Sequence, residues 1–257
     1  MKLTNLLTVG ALAAVMASPV LMAADNMSPE QQKEVEKIVH DYLVNNPEVL
    51  VEASQALQQK QQQTVQQQAK AAIFENADQL FGGKLSVAGN PKGNVTLVEF
   101  FDYQCIHCKK MAPTIGGLIK KDNNLRVIYV EFPIFGKSSE VASQVALAAA
   151  MQGKYQQMHD ALLKVDKRLD DKLVMDTAKS IGLNMPKLQK DMDSKAVTGM
   201  LDANRQLAEK MHLMGTPAFV VAATPAGKFN PKSDPAFIPG AASEDVLQDL
   251  IKKATNG

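Results

Sequence analysis

The chain of 257 residues contains only two cysteines and no tryptophan. Two thiols are too few for a scaffold of several disulfides, and too few for a four-thiolate zinc or iron–sulfur site. Aromatic residues make up 5 % of the sequence, so stacking platforms for bases or sugars are not expected. Neither sign of charge is in excess: 28 Lys and Arg stand against 27 Asp and Glu. Nucleic-acid binding rests on neutralising phosphates, so no nucleic-acid partner is expected. Hydrophobic residues at 46 % and charged residues at 21 % are ordinary for a globular chain with a sizeable core.

The one long apolar run lies at the start. After Met1-Lys2, Leu3 to Met22 reads LTNLLTVGALAAVMASPVLM, broken by Ser18-Pro19, and Ala23-Ala24 precede the first acid, Asp25. A charged start, an apolar stretch and small residues predict a secretory signal peptide over 1–24. A membrane anchor is the alternative, although the unbroken run is shorter than a span requires. Export would place the two thiols, Cys105 and Cys108, in an oxidising compartment, where a Cys105–Cys108 disulfide is expected.

Residues 25–85 are expected to form a helical, polar region ending in a linker. Ser28-Pro29-Glu30-Gln31 has a capping residue, proline at the first helical position and glutamine at the third. Val35, Ile38, Val39, Tyr42 and Leu43 recur at helical spacing until Asn45-Asn46-Pro47. A second helix starts near Pro47 and enters a tract in which nine of residues 55–68 are Gln. Val65, Ala69, Ala72 and Ile73 continue a thin apolar stripe. Such a stripe on a long helix is suited to burial against another chain, with packing on its own domain as the alternative. The Gly- and Asn-rich stretches 82–83 and 89–94 read as linker and turn.

From residue 86 the texture changes. Residues 95–101 and 125–132 are apolar, β-branched runs suited to buried strands, and 106–121 between them is helical, which predicts a βαβ unit. Residues 137–214 are then helical almost throughout. Residues 218–222 return to a strand, 237–240 suit a short edge strand, and Ser243 caps a last helix over 244–254. The expected fold class is therefore α/β, with a helical block inserted into a sheet domain over 86–257.

The chemistry is concentrated at Cys105-Ile106-His107-Cys108. A C-x-x-C that follows a strand and opens a helix places its first thiol beside free backbone N–H groups and the positive end of the helix dipole. Both favour the thiolate, the attacking species in disulfide exchange. His107 can add positive charge or a hydrogen bond. A structural disulfide and half of a metal site are the alternatives. For zinc two more ligands are missing, and His40, His159 and His212 are expected on helix surfaces without ligand spacing. The 13 Met are scattered, as core packing would have them. No metal and no cofactor is expected. Two features favour redox chemistry: Pro113 inside the helix, and Gly215-Thr216-Pro217 just before a strand, where proline suits a special turn such as a cis peptide. A plain loop proline is the alternative there.

FFDYQCIHCKKMAP (100–113), GTPAFV (215–220) and the helical block between them resemble the DsbA family of thioredoxin-fold proteins. The resemblance runs from about Val95 to the C-terminus. It implies Cys105 as nucleophile, Cys108 as the resolving thiol, Pro217 as a cis-proline facing the disulfide, and Thr216 as a residue that docks substrate and tunes the potential. Glu99 matches the family's buried acid that assists proton transfer. Residues 38–57, IVHDYLVNNPEVLVEASQAL, resemble the segment preceding the catalytic domain in outer-membrane-associated DsbA-like antigens, and the oligomerisation region of the suppressor-of-copper-sensitivity DsbA-like proteins. The resemblance implies a homodimer or homotrimer held by residues 28–80, cysteine-containing protein substrates, and a membrane redox partner of DsbB or DsbD type. It also implies a periplasmic location with association to the outer membrane. Strongly oxidising members carry proline where this chain has Ile106, which points to combined oxidase and isomerase activity. A copper- or zinc-handling protein and an envelope interaction protein acting through the N-terminal helices are the competing readings.

Overall fold

The computed structural model describes residues 27–83 and 86–256; the expected signal peptide lies outside them. The chain divides into two units, one ending at Gln58 and one beginning at Gln59.

The first unit is helical. In α1 (Pro29–Asn45) the Ser28 hydroxyl accepts from the Gln31 N–H at 3.3 Å, and the Gln31 side chain accepts from the Ser28 N–H at 2.8 Å. The reciprocal cap expected from the sequence is present. No residue of α1 is buried, and Val35, Ile38, Val39 and Tyr42 are all exposed. The helix α2 (Glu48–Glu75) likewise exposes Leu50, Val51 and Leu57.

The second unit is built on a five-stranded sheet of β1 (Val87–Gly89), β2 (Val95–Phe101), β3 (Leu125–Glu131), β4 (Ala218–Ala223) and β5 (Ala236–Ile238), in the order β1-β3-β2-β4-β5. The β2 and β3 strands are parallel, joined through α4 (Ile106–Lys121), and the other pairs are antiparallel. Every residue of β2, β3 and β4 is buried, because both faces of the sheet are covered. That is why these strands read as continuous rather than alternating apolar runs.

One face carries Val95, Leu97 and Phe101 and packs against α4, the inserted helices and α10 (Glu244–Asn256). The insertion consists of α5 (Lys137–Ala150), α6 (Tyr155–Leu163), α7 (Asp171–Ser180), α8 (Met185–Met192) and α9 (Lys195–Lys210). The other face carries Val98 and Phe100. It packs against Ala69, Ala72 and Ile73 at the end of α2, and against Leu80 and Phe81 of α3 (Ala77–Phe81). A single 3-10 turn, Pro225–Gly227, follows β4.

Two expectations change here. The stripe at Ala69, Ala72 and Ile73 is buried against the chain's own sheet, so the apolar residues exposed along the N-terminal helices are those up to Val65. The stretch expected as linker and turn contains β1, which pairs Val87 with Ile128 and Gly89 with Arg126 on the open edge of β3. At three residues, between Gly-, Pro- and Asn-rich segments, β1 is too short to leave a period. Gly89 is required by its backbone: φ is +70°, and a Cβ there would lie 2.4 Å from the Leu125 carbonyl oxygen.

Candidate active site

Strand β2 ends at Phe101, and the turn from Asp102 delivers Cys105 to the N-cap of α4. The Cys105 backbone is extended (φ −69°, ψ 117°), and its sulfur accepts from the Cys108 N–H at 3.4 Å. From the other side, the Cys105 thiol donates to the main-chain carbonyl of Thr216 at 3.2 Å. The Thr216–Pro217 peptide is cis, as the sequence suggested. Both cysteines are free thiols, so the structure holds the dithiol form of the expected Cys105–Cys108 pair. Cys108 is buried, whereas Ile106 and His107 between the two thiols are exposed.

These surroundings separate the two thiols. Donation from the Cys108 thiol, the Thr216 hydroxyl and the backbone N–H groups of Cys108 and His107 brings Cys105 down to about 5 against the opposing effect of burial. The Thr216 hydroxyl is buried and has no partner in the dithiol form, so it is free to donate once Cys105 ionises. The same hydrogen bond between the thiols, with burial and nearby Glu99, pushes Cys108 far above the ordinary thiol range. Once Cys105 has ionised, the proton that remains in the pair stays on Cys108. His107 acts on Cys105 through its backbone N–H.

Glu99 is buried in the middle of β2, and its Oε2 has no partner. Burial, then the charges of Cys105 and Glu131, hold its carboxyl well above the usual range.

The sequence singled out Cys105, Cys108, His107, Glu99, Thr216 and Pro217, but it missed a second buried cluster beside them. Glu131, at the end of β3, accepts from Tyr103 (3.0 Å) and Tyr155 (2.8 Å) through Oε1 and from Ser143 (2.8 Å) through Oε2. His159 belongs to this cluster, and its expected surface position is corrected: it is 2 % exposed, 4.0 Å from the Tyr129 ring centroid and 3.2 Å from the Tyr103 hydroxyl. Burial lowers it to about 3, so it is neutral. Helical spacing alone shows no reason to bury it, because Tyr103 and Tyr129 reach it from the loop after β2 and from β3. Glu131 could have been found by the signal that marks Glu99, a carboxylate inside an apolar strand, which is costly to bury without partners.

A second missed residue is Asp102, buried and accepting from the N–H groups of Gln104 (2.7 Å), Ile134 (2.7 Å) and Phe135 (3.0 Å) and from the Ser139 hydroxyl (2.8 Å). It ties the turn before Cys105 to the loop that exposes Ile134 and Phe135. A cleft of about 370 Å³ opens beside Thr216 and Pro217, lined also by Met214, Phe237 and Val65. Among the described residues no group of three or more His, Cys, Asp or Glu is placed to hold a metal ion.

Residues 96–252 match the family model described as DSBA-like thioredoxin domain. The chain belongs to that family. Residues 31–64 match a second model, the copper resistance protein ScsC N-terminal domain. Among solved structures, BcfH of Salmonella enterica Typhimurium is 32 % identical with a TM-score of 0.75, over 88 % of this chain and 96 % of that one. Proteus mirabilis ScsC in a transitional conformation is 29 % identical with a TM-score of 0.62, over 90 % and 99 %. The thiol:disulfide interchange protein DsbA of Pseudomonas syringae is 31 % identical over 135 residues, half of this chain. The chain spans less than two thirds of the first curated relatives it matches: 63 % of that DsbA and 21 % of the Na(+)/H(+) antiporter NhaA 3 of Salinispora tropica. Within the DsbA-like family, the site just described falls inside the matched residues, and the exposed apolar stripe of α1 falls inside the ScsC-type match.

Proposed function

We propose that this chain is an exported thiol–disulfide oxidoreductase that introduces and isomerises disulfides in folding envelope or secreted proteins. The observation that carries the reading is the setting of Cys105: an N-cap thiol under the Thr216 carbonyl, with its proton affinity lowered and that of its neighbour raised. In this reading Cys105 attacks or is attacked, Cys108 resolves the mixed disulfide, and Glu99 assists the proton transfer. The backbone N–H of His107 helps hold the thiolate, while Thr216 and Pro217 dock the substrate chain. A lowered thiol pKa stabilises the dithiol form and so makes the disulfide an oxidant.

The isomerase half of the proposal rests on the N-terminal helices. Their exposed apolar residues, from Val35 to Leu57, need a cover, and a second copy of the same segment supplies one. A homodimer or homotrimer through residues 28–80 would bring two or more Cys105 sites to one substrate. The rest of the reading is a signal peptide over 1–24, a helical region and linker over 25–85, and a catalytic domain over 86–257. The location is periplasmic with outer-membrane association, as in the antigen subgroup, and the redox partner is a membrane protein of DsbB or DsbD type.

The test is reactivation of scrambled ribonuclease by the chain without its first 24 residues, beside a shorter form. The shorter form should begin near Gln59, since a start at Asn90 would remove Ala69, Ile73, Leu80, Phe81 and β1 from the second unit. Reactivation by the longer form alone, with both forms oxidising reduced ribonuclease, is the expected result. Equal reactivation by both forms would remove the role given to the N-terminal helices, and full activity after Cys105→Ser would remove the mechanism.

A further inference from the structure

We infer that Glu131 is a positioning residue for the active-site thiols: held by Tyr103, Tyr155 and Ser143, it keeps Glu99 protonated, so that Glu99 can supply the proton that the Cys108 thiolate needs as it leaves the disulfide. The inference deepens the oxidoreductase reading and rests on it.

The geometry begins with the strand register. Glu99 pairs with Tyr129 and Phe101 with Glu131 across the parallel β2–β3 ladder. Side chains alternate between faces, and Phe101 and Tyr129 lie in the core on the α4 side. Glu99 and Glu131 therefore sit on one face of adjacent strands, one diagonal step apart, and each is at most 2 % exposed. Two buried carboxyls this close do not ionise together, and their surroundings decide which one carries the proton.

The hydrogen bonds are unequal. Glu131 receives three hydroxyl groups, all arranged for an acceptor. The Tyr103 hydroxyl, donating to Glu131, can accept from Nδ1–H of neutral His159, which completes the set without adding charge. Glu99 has an oxygen with no partner. Glu131 is thus the member that ionises first, at about 8 because of its burial, and above that pH its charge adds to burial in holding the proton on Glu99. The titratable groups facing the pair are Asp102 and Tyr103 from the loop after β2, Tyr129 from β3, Cys105 and Cys108 from α4, and Tyr155 and His159 from α6. From α5 comes the Ser143 hydroxyl, and from α9 the Asn204 side chain, which donates to the Glu131 main-chain oxygen. Among the described residues no lysine or arginine forms an ion pair with either carboxyl.

The step balances as follows. A substrate thiolate attacks the sulfur of Cys105, a new S–S bond forms to substrate, and the Cys105–Cys108 bond breaks. Cys108 leaves with the electron pair and takes the proton from Glu99, which becomes a carboxylate. Ser143 and Tyr155, two of the three groups that hold Glu131, come from α5 and α6, so the inserted helices take part in setting the proton supply of the site.

The experiment is the rate at which a small thiol reduces the oxidised full chain, corrected for the thiol's own ionised fraction and followed against pH. The rate should fall on the alkaline side as Glu99 loses its proton. In Glu131→Gln that fall should move to lower pH by about one unit, with the protonated-carboxyl infrared band of Glu99 disappearing over the same lowered range. In a Glu99→Gln background, Glu131→Gln should produce no such shift. Ser143→Ala, which removes one donor, should shift the fall the same way by less, and it serves if Glu131→Gln does not fold. An unmoved alkaline fall, or an equal shift without Glu99, overturns the inference while leaving exchange by Cys105 intact. A chain with no thiol exchange at any pH would instead overturn the oxidoreductase reading.

Discussion

The Cys105 thiol lies 3.2 Å from the main-chain carbonyl of Thr216, a residue 111 positions further along the chain, and the buried Thr216 hydroxyl beside it has no partner until the thiol ionises. One residue therefore faces the thiol with an acceptor and the thiolate with a donor. Thr216→Val keeps the carbonyl and the side-chain shape but removes the donor. The pH midpoint for alkylation of Cys105, about 5 in the parent chain, should rise by about one unit. An unchanged midpoint would mean that the amides at the start of α4 hold the thiolate alone.

Redox state and stability should be linked with a definite sign. The Cys105 thiol titrates at about 5 in the folded chain against an ordinary 9, so the dithiol form gains stability as pH rises from 5 towards 9 and loses it as pH falls through 5. Cys108 is shifted upward and contributes nothing in that window. Urea denaturation of the reduced and disulfide forms should show the difference in favour of the reduced form growing from about pH 4 to about pH 8. A constant difference would contradict a folded-state thiolate.

Asp102→Ala should destabilise the second unit by about 3 kcal/mol or more, since it strands the N–H groups of Gln104, Ile134 and Phe135. The change would loosen the turn leading to Cys105 together with the loop bearing Phe135. Equilibrium unfolding in urea measures it, and a loss below about 1 kcal/mol would show that water replaces the carboxylate without penalty.

Acid should act through His159. Its folded value is about 3 against an ordinary 6.5, so the unfolded chain binds the extra proton and stability falls as pH drops from 6.5 towards 3. Glu131 acts in the opposite direction, losing stability as pH rises from 4.5 through about 8. The part that belongs to His159 is therefore read by comparison with His159→Phe, whose stability should decline less steeply below pH 6.5. Parallel curves for the two chains would exclude the imidazole as the acid-sensitive group.

Much of this molecule is local and was legible as such. The capping box at Ser28, the apolar runs of β2 and β3, the C-x-x-C at the start of α4 and the proline after Thr216 all act within a few residues of themselves, so their spacing reveals them. A three-residue strand such as β1 leaves no period, and it forms only because β3 offers an unpaired edge. His159 and Ala69 lie on helices whose sequence pattern is the same whether the face meets water, another chain or its own sheet.

The sequence by itself determined that the two thiols stand at the start of a helix after a buried strand, because that follows from residue type and short spacing. The burial of Glu99 beside them was implied by the resemblance to the DsbA family. Tertiary structure alone decided that Glu131 on β3 meets Tyr103 from the loop after β2 and Tyr155 from α6, and it set the 3.2 Å contact of Cys105 with the Thr216 carbonyl across 111 residues. The reason is physical. Proton affinity in a buried site depends on distances of a few ångströms between groups remote in the chain, and those distances exist only once the sheet and the inserted helices have packed.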